Sequence, residues 1–341
     1  MTKPRKQQIS VDATPFYHCV TRCVRRAFLC GKDQQTGRSY EHRRHMIEHE
    51  ILRLSGIFFI DVAAFSVMSN HYHVLLHINT HECTKTNAIN IARKWHQLYK
   101  GNDLSLRFVK GETIETFEQE SLDTIIDAWR SRLQSISWFM KVLNEKIARQ
   151  ANKEDDCTGH FWQARFKSQA LLDEQAVLSC IAYIDLNPVR AAMANTPENS
   201  DHTSIQLRIK AWKDGLLAHN KADSDSQDHH EDLQPKSLMP FAGYPRQPMP
   251  FGLKYNLIDY IELIDWTGRQ IREDKRGAIN ERIPPILNRL QISPTHWQTL
   301  TTEFESRFKG IAGSALSIKE KRARFGLTRN QNWTNSRLLF A

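Results

Sequence analysis

Residues Met68–His77 read MSNHYHVLLH, and this short run decides how the rest of the chain is laid out. On an extended strand, alternate side chains point to opposite faces. Tyr72, Val74 and Leu76 then share an apolar face that a core must cover, while His71 and His73 stand side by side on the other face. Two imidazoles so placed can offer nitrogen to one divalent ion; a pair of structural histidines is the ordinary alternative. His77 falls on the same face, but about 13 Å along the strand from His73, too far to share an ion with the pair.

Working outward, Phe58–Val67 reads as a second strand, joined to His71–Ile78 around Met68–Asn70. Upstream, Phe16–Arg22 (FYHCVTR) is a strand, and a helix follows over about Glu41–Leu54, with Gly56 at its end. Downstream come a helix near Ile89–Tyr99 and one long helical pattern over Leu122–Asn152, carried by Ile125, Ile126, Trp129, Leu133, Ile136, Phe139, Met140 and Leu143. Phe161–Leu171 completes the strands, and Asp173–Ile184 is a last helix. The order β-α-β-β-α-β predicts an α+β fold, a small antiparallel sheet with helices on one face. A partly helical insertion at about 79–121 interrupts it.

Two further runs carry chemistry. In Gly159–Lys167 (GHFWQARFK), Trp162, Ala164 and Phe166 alternate with Gln163, Arg165 and Lys167. An apolar face inward and a basic face outward suits a sheet that lays nucleic acid on its open side; a solvated polar face is the plain alternative. In Cys180–Arg190 (CIAYIDLNPVR), Tyr183 and Asn187 are one helical turn apart on the same side. A phenol, with an ordinary pKa near about 10, attacks phosphorus only when the phosphate is activated beside it. Otherwise Tyr183 is a core residue. The position before Pro188 is pushed away from helical angles, so Asn187 is expected at the helix end.

In combination and in this order, FYHCVTR, SNHYHVLLH, GHFWQARFK and YIDLNPVRA resemble the IS200-like Y1 transposases of the HUH nuclease superfamily, above all the branch of REP-associated tyrosine transposases. The resemblance covers about residues 10–195. It implies a ferredoxin-like fold, a metal site at His71 and His73 completed by Asn187, and Tyr183 as the nucleophile. It also implies Mg²⁺ or Mn²⁺ as the ion, single-stranded or hairpin DNA as the partner, and a homodimer as one form in which such proteins work. His18, on the first strand, reads as a satisfied structural histidine near the site.

Composition agrees with a nucleic-acid partner. The 341 residues carry a formal net charge of +9, and neutralising phosphate is the usual use of such an excess. Arg22, Arg25 and Arg26 cluster at the end of a predicted strand, and with Gln163, Arg165 and Lys167 they are the candidate DNA contacts. Mean hydropathy is −0.54. There is no apolar run of about 18 residues for a membrane span and no apolar leader after the basic N-terminus, so the expected place is the cytoplasm, at the nucleoid. Six cysteines without a CxxC pair argue against a zinc knuckle or a disulfide framework.

Residues 196–235 read as a connecting segment ending in an acidic linker (His219–Gln234), and 236–341 as a mainly helical extension whose basic end makes it a candidate for DNA binding. Within it Ser293-Pro294-Thr295 looks like a helix start, and a helix-turn-helix around Pro284–Trp297 competes with a plain packing domain. Two rival functions stand beside metal-dependent strand transfer. One is a non-catalytic DNA-binding protein of the same fold. The other is a phosphoesterase in which water, not Tyr183, is the nucleophile.

Overall fold

The computed structural model describes residue 4 and residues 8–24, 29–33, 37–219, 234–243, 251–271, 284–328 and 331–340. Arg25, Arg26, Arg329 and nearly all of the acidic linker lie outside them. The chain begins with Phe16–Arg22 (β1), His42–Ile57 (α1), Ile60–Val67 (β2) and His71–Ile78 (β3). Four helices follow: Thr80–Lys85 (α2), Ala88–His96 (α3), Asp103–Lys110 (α4) and Thr116–Leu133 (α5). Then come Ile136–Glu154 (α6), Lys167–Leu171 (β4), Glu174–Asp185 (α7) and the single turn Asn187–Arg190 (α8). Ser204–His219 (α9), Leu257–Ile271 (α10), Pro285–Leu290 (α11), Pro294–Arg307 (α12), Ile311–Ala312 (β5), Ala315–Lys321 (α13) and Trp333–Leu339 (α14) complete it.

The five strands form one sheet in the order β2-β3-β1-β4-β5. The first four are antiparallel neighbours, and β5 joins β4 in parallel. This is the α+β, ferredoxin-like arrangement expected from the element order. Tyr17, Cys19, Tyr72, Val74 and Leu76 face one core, with Ile47, Ile51 and Leu54 of α1 and Phe139, Met140 and Leu143 of α6. The four helices α2–α5 enlarge that core through residues such as Trp95, Ile126 and Trp129. The second face is covered too: α7, α10, α11, α12 and α14 share another apolar cluster with Leu75 and Leu171. The helical C-terminal part is thus packed onto the sheet by way of α7.

Three local readings change. First, the long helical pattern at Leu122–Asn152 is two helices, broken at Gln134–Ser135. The Leu133 carbonyl accepts from the Phe59 N–H instead of continuing the helix (2.9 Å). Second, α1 runs through Gly56 to Ile57. Third, Phe161–Leu171 is a strand only over Lys167–Leu171. Val20 pairs with Lys167 and Cys23 bridges Trp162, so three steps along β1 face five along the other chain. The two surplus residues bulge outward. Ala164, expected inward, is exposed together with Gln163 and Arg165, while Trp162 donates from Nε1 to the Asn144 carbonyl (2.8 Å) and meets the edge of Tyr72.

The helix pair around Pro284–Trp297 exists, with Ser293 capping α12 by accepting from the His296 N–H (3.2 Å). Its second helix turns Trp297, Leu300 and Phe304 into the cluster over α7, which makes it a packing helix. A buried carboxylate ties the same region together. Asp185 accepts from Ser204 Oγ (2.5 Å), the Ile205 N–H (3.1 Å) and Tyr260 Oη (2.6 Å), joining the end of α7 to α9 and α10.

Arg43, its side chain fully buried, clamps α1 to the end of α6 by donating to Glu154 (2.8 Å) and Asp155 (2.6 Å). Burial alone would raise the Glu154 carboxyl, but hydrogen bonds from Gln150, Arg43 and His42 outweigh it and hold the group at about 2, against an ordinary 4.5. A depressed folded value means that this stabilisation is complete above pH 4.5 and is lost as pH falls toward 2. Urea unfolding between pH 6 and 3 should show stability declining with acid. Glu154→Gln should flatten part of that decline and lower neutral-pH stability by about 2 kcal/mol.

Candidate functional site

β3 sits between β1 and β2, so its second face is ringed by protein on both sides. His73 is 1% exposed and His71 is partly exposed, with ring centroids 4.9 Å apart. Asp173 caps α7 by accepting from the Ala176 N–H (3.0 Å), and this launches the helix across the same face. Tyr183 consequently arrives edge-on to His73 at 5.8 Å and to His18 at 6.3 Å. The tyrosine and the histidines of one and the same chain come together. His77 is elsewhere, paired with Asp61 (2.9 Å).

Among the described residues, the His73 ring has one hydrogen-bond partner: its Nδ1 lies 2.9 Å from Nε2 of His18. His18 in turn meets Gln169 Oε1 through Nδ1 (3.1 Å), and Gln169 Nε2 donates to the Phe308 carbonyl (2.6 Å). His73 Nε2 is buried without a hydrogen-bond partner among the described residues. His71 Nδ1 is 2.6 Å from Asn70 Oδ1. Burial pulls all three histidines below the ordinary imidazole value. For His71, burial and then Arg22, with Arg190 and Lys167 adding and Glu305 opposing, bring it to about 4. Histidines that stay neutral at physiological pH are in the form that binds metal.

Asn187 lies at the start of α8, just past the end of α7, as the following proline requires. It is 5% exposed, its Oδ1 accepts from Arg190, and its Nδ2 has no partner among the described residues. Arg190 is the hub here. Its guanidinium lies over the Tyr183 ring, 4.1 Å from the centroid, and donates to the carbonyls of Tyr183 (3.2 Å) and Thr301 (2.5 Å). Burial raises the Tyr183 phenol, and Arg190 works against that rise. Phe304 of α12 covers the ring at 6.0 Å and leaves Tyr183 8% exposed.

The candidate DNA contacts divide. Arg22 is exposed at the end of β1, opposite His71. Gln163, Arg165 and Lys167 are exposed on the bulged segment and its exit, where Lys167 reaches Glu305 of α12 (3.3 Å). Arg165, Lys167 and Lys309 border a cleft of about 620 Å³ that has His18, Phe166 and Phe308 in its walls. Arg25 and Arg26 fall outside the described residues.

Sequence reasoning missed the roles of Gln169, Arg190, Phe304 and Glu305. Arg190 stands in the NPVR run, one residue before the end of YIDLNPVRA, but its stacking on Tyr183 follows only from how α8 folds back. Glu305 and Phe304 had no local signal, because α12 reaches the site from more than a hundred residues away in the chain.

Among the described residues, no helix is long and apolar enough to cross a membrane. No protein-family profile matches the chain, and no curated protein matches it. A solved structure described as "Structure of the REP associates tyrosine transposase bound to a REP hairpin" is similar at 12% identity and a TM-score of 0.35, over 67% of this chain and 96% of that one. That is a weak likeness, and it says nothing about the chemistry of the site.

Lysine at position 190 could not reach two carbonyls and an amide oxygen while stacking on a ring. Arg190→Lys is therefore expected to lower unfolding stability by roughly 2 kcal/mol, measured by urea denaturation, and to release the Asn187 side chain.

Proposed function

We propose that this protein cuts and rejoins single-stranded or hairpin DNA, with Tyr183 as the nucleophile and with His71 and His73 as the protein's ligands to Mg²⁺ or Mn²⁺. The observation that carries this reading is the buried, unpartnered His73 Nε2 beside the Tyr183 ring. An uncompensated buried polar nitrogen is costly, and a bound cation would satisfy it. Among the described residues no group of three or more His, Cys, Asp or Glu side chains gathers around an ion, so two neutral imidazoles are the donor set. Asn187 Oδ1 joins them only when Arg190 lets go of it.

Bound there, the ion would polarise the non-bridging oxygens of a phosphodiester. Tyr183 Oη bonds to phosphorus, and its proton passes to solvent. The P–O3′ bond breaks, and the departing 3′ oxygen takes up a proton. The products are a 5′-phosphotyrosine and a free 3′-OH, and attack by a 3′-OH on that phosphotyrosine reseals a strand without ATP. Arg22, Arg165 and Lys167, with Arg25 and Arg26 next to Arg22 in sequence and Gln163 beside Arg165, form the set that holds the DNA backbone. The contact of Tyr183 with His73 and His18 of the same chain supports a site assembled within one chain.

A labelled hairpin with single-stranded flanks, incubated with protein and Mn²⁺, should give a denaturant-resistant protein–DNA adduct. Tyr183→Phe should abolish it, His71→Ala and His73→Ala should reduce it at least a hundredfold, and chelation should stop it reversibly. Adduct formation by Tyr183→Phe would falsify the tyrosine mechanism. One observation favours a second reading: Phe304 leaves Tyr183 only 8% exposed, as suits a DNA-binding protein that no longer reacts. That reading predicts binding without an adduct. In either case, Arg165→Gln with Lys167→Gln should weaken binding evenly across DNA sequences and reduce the salt slope by about 2.

A further inference from the structure

A chain of three hydrogen bonds leads out of the site to the far end of the polypeptide, and its proton positions can be deduced from one fixed point. The Phe308 carbonyl, which caps the end of α12, can only accept. The Gln169 group 2.6 Å from it is therefore the amide NH₂. Gln169 then turns its oxygen to His18 Nδ1 (3.1 Å), and an amide oxygen can only accept, so His18 Nδ1 carries a proton. His18 is 1% exposed, and neither of its ring nitrogens meets a carboxylate. It is neutral, and its Nε2 is an acceptor. The partner of that nitrogen, His73 Nδ1 at 2.9 Å, must then donate. In neutral His73 the remaining lone pair sits on Nε2, the buried nitrogen that has no partner among the described residues. The reverse assignment would place an amide oxygen 2.6 Å from a carbonyl oxygen with no hydrogen between them.

We infer that α12, through Phe308, Gln169 and His18, holds His73 in its Nδ1–H tautomer and so keeps the Nε2 lone pair aimed into the site. Gln169 and His18 are positioning residues, and α12 becomes part of the site although it supplies neither histidine nor tyrosine. The use of that lone pair for metal rests on the function proposed above; the tautomer itself does not. Outer hydrogen bonds of this kind orient metal-binding histidines.

The test is a long-range ¹H–¹⁵N correlation spectrum of the metal-free full-length protein labelled with ¹⁵N-histidine, with His73→Gln serving to assign the signal. The expected result is a His73 with protonated Nδ1 and unprotonated Nε2. A proton on Nε2, or averaging between the two forms, overturns the inference; where His73→Gln does not fold, NOEs from the neighbouring Tyr183 ring assign the His73 signal in the wild type. Gln169→Leu removes the fixed point. It should mix the two tautomers and weaken Mn²⁺ binding, read from the free-ion EPR signal, by roughly 10- to 100-fold. If Gln169→Leu keeps the single tautomer and wild-type affinity, the chain does not position His73. If wild type shows the tautomer yet binds no Mn²⁺, the inference stands and the metal role proposed for His73 fails.

Discussion

The two-residue period of the inner strand β3 is the constraint on which the rest depends. Tyr72, Val74 and Leu76 are committed to the core shared with α1 and α6, and this leaves His71 and His73 no choice but the opposite face. A slip of one residue would exchange the two sets and bury the histidines in an apolar core. Pairing on both edges, with β1 from Phe16↔His77 to Arg22↔His71 and with β2 from Ile60↔Ile78 to Val67↔Tyr72, prevents that slip. Tyr72 adds a lock of its own through the hydrogen bond from its hydroxyl to Asn144 of α6 (2.8 Å).

On the second face, chemistry and packing compete for the same space. α7 must bury Val177, Leu178, Ile181 and Ile184, and in doing so it swings Tyr183 toward the histidines. The helices after residue 250 complete that burial. α12 and the residue that ends it therefore touch four groups in and around the site: Phe304 on the tyrosine, Thr301 on Arg190, Glu305 near Lys167 and Phe308 on Gln169. The C-terminal part acts on the site by covering it and orienting its groups.

Charge is distributed to match. Arg22, Arg190 and Lys167 converge on His71 and help to keep it neutral, while Glu305 works against them there. A neutral pair of imidazoles inside a ring of cations suits a ligand that brings its own negative charge, as a phosphodiester does. The bulge before β4 serves the same end. Past Gln163, whose N–H still donates to the Arg22 carbonyl (2.9 Å), the chain leaves the ladder and carries Arg165 into solvent.

By itself the sequence determined the element order, the α+β class, the face of β3 on which the histidines stand, and the place of Asn187 at a helix end. Each of these follows from local periodicity or from the stereochemistry of a single residue such as Pro188. Only the tertiary structure decided the break at Gln134–Ser135, where a distant N–H captures a helix carbonyl, and the bulge at residues 164–166, where two chains of unequal length must share a ladder. It alone made His18 a partner of His73, placed Arg190 on Tyr183, and brought α12 over both. The reason is that hydrogen-bond partners and ring contacts between elements depend on which element packs on which, and periodicity records only that a face is buried.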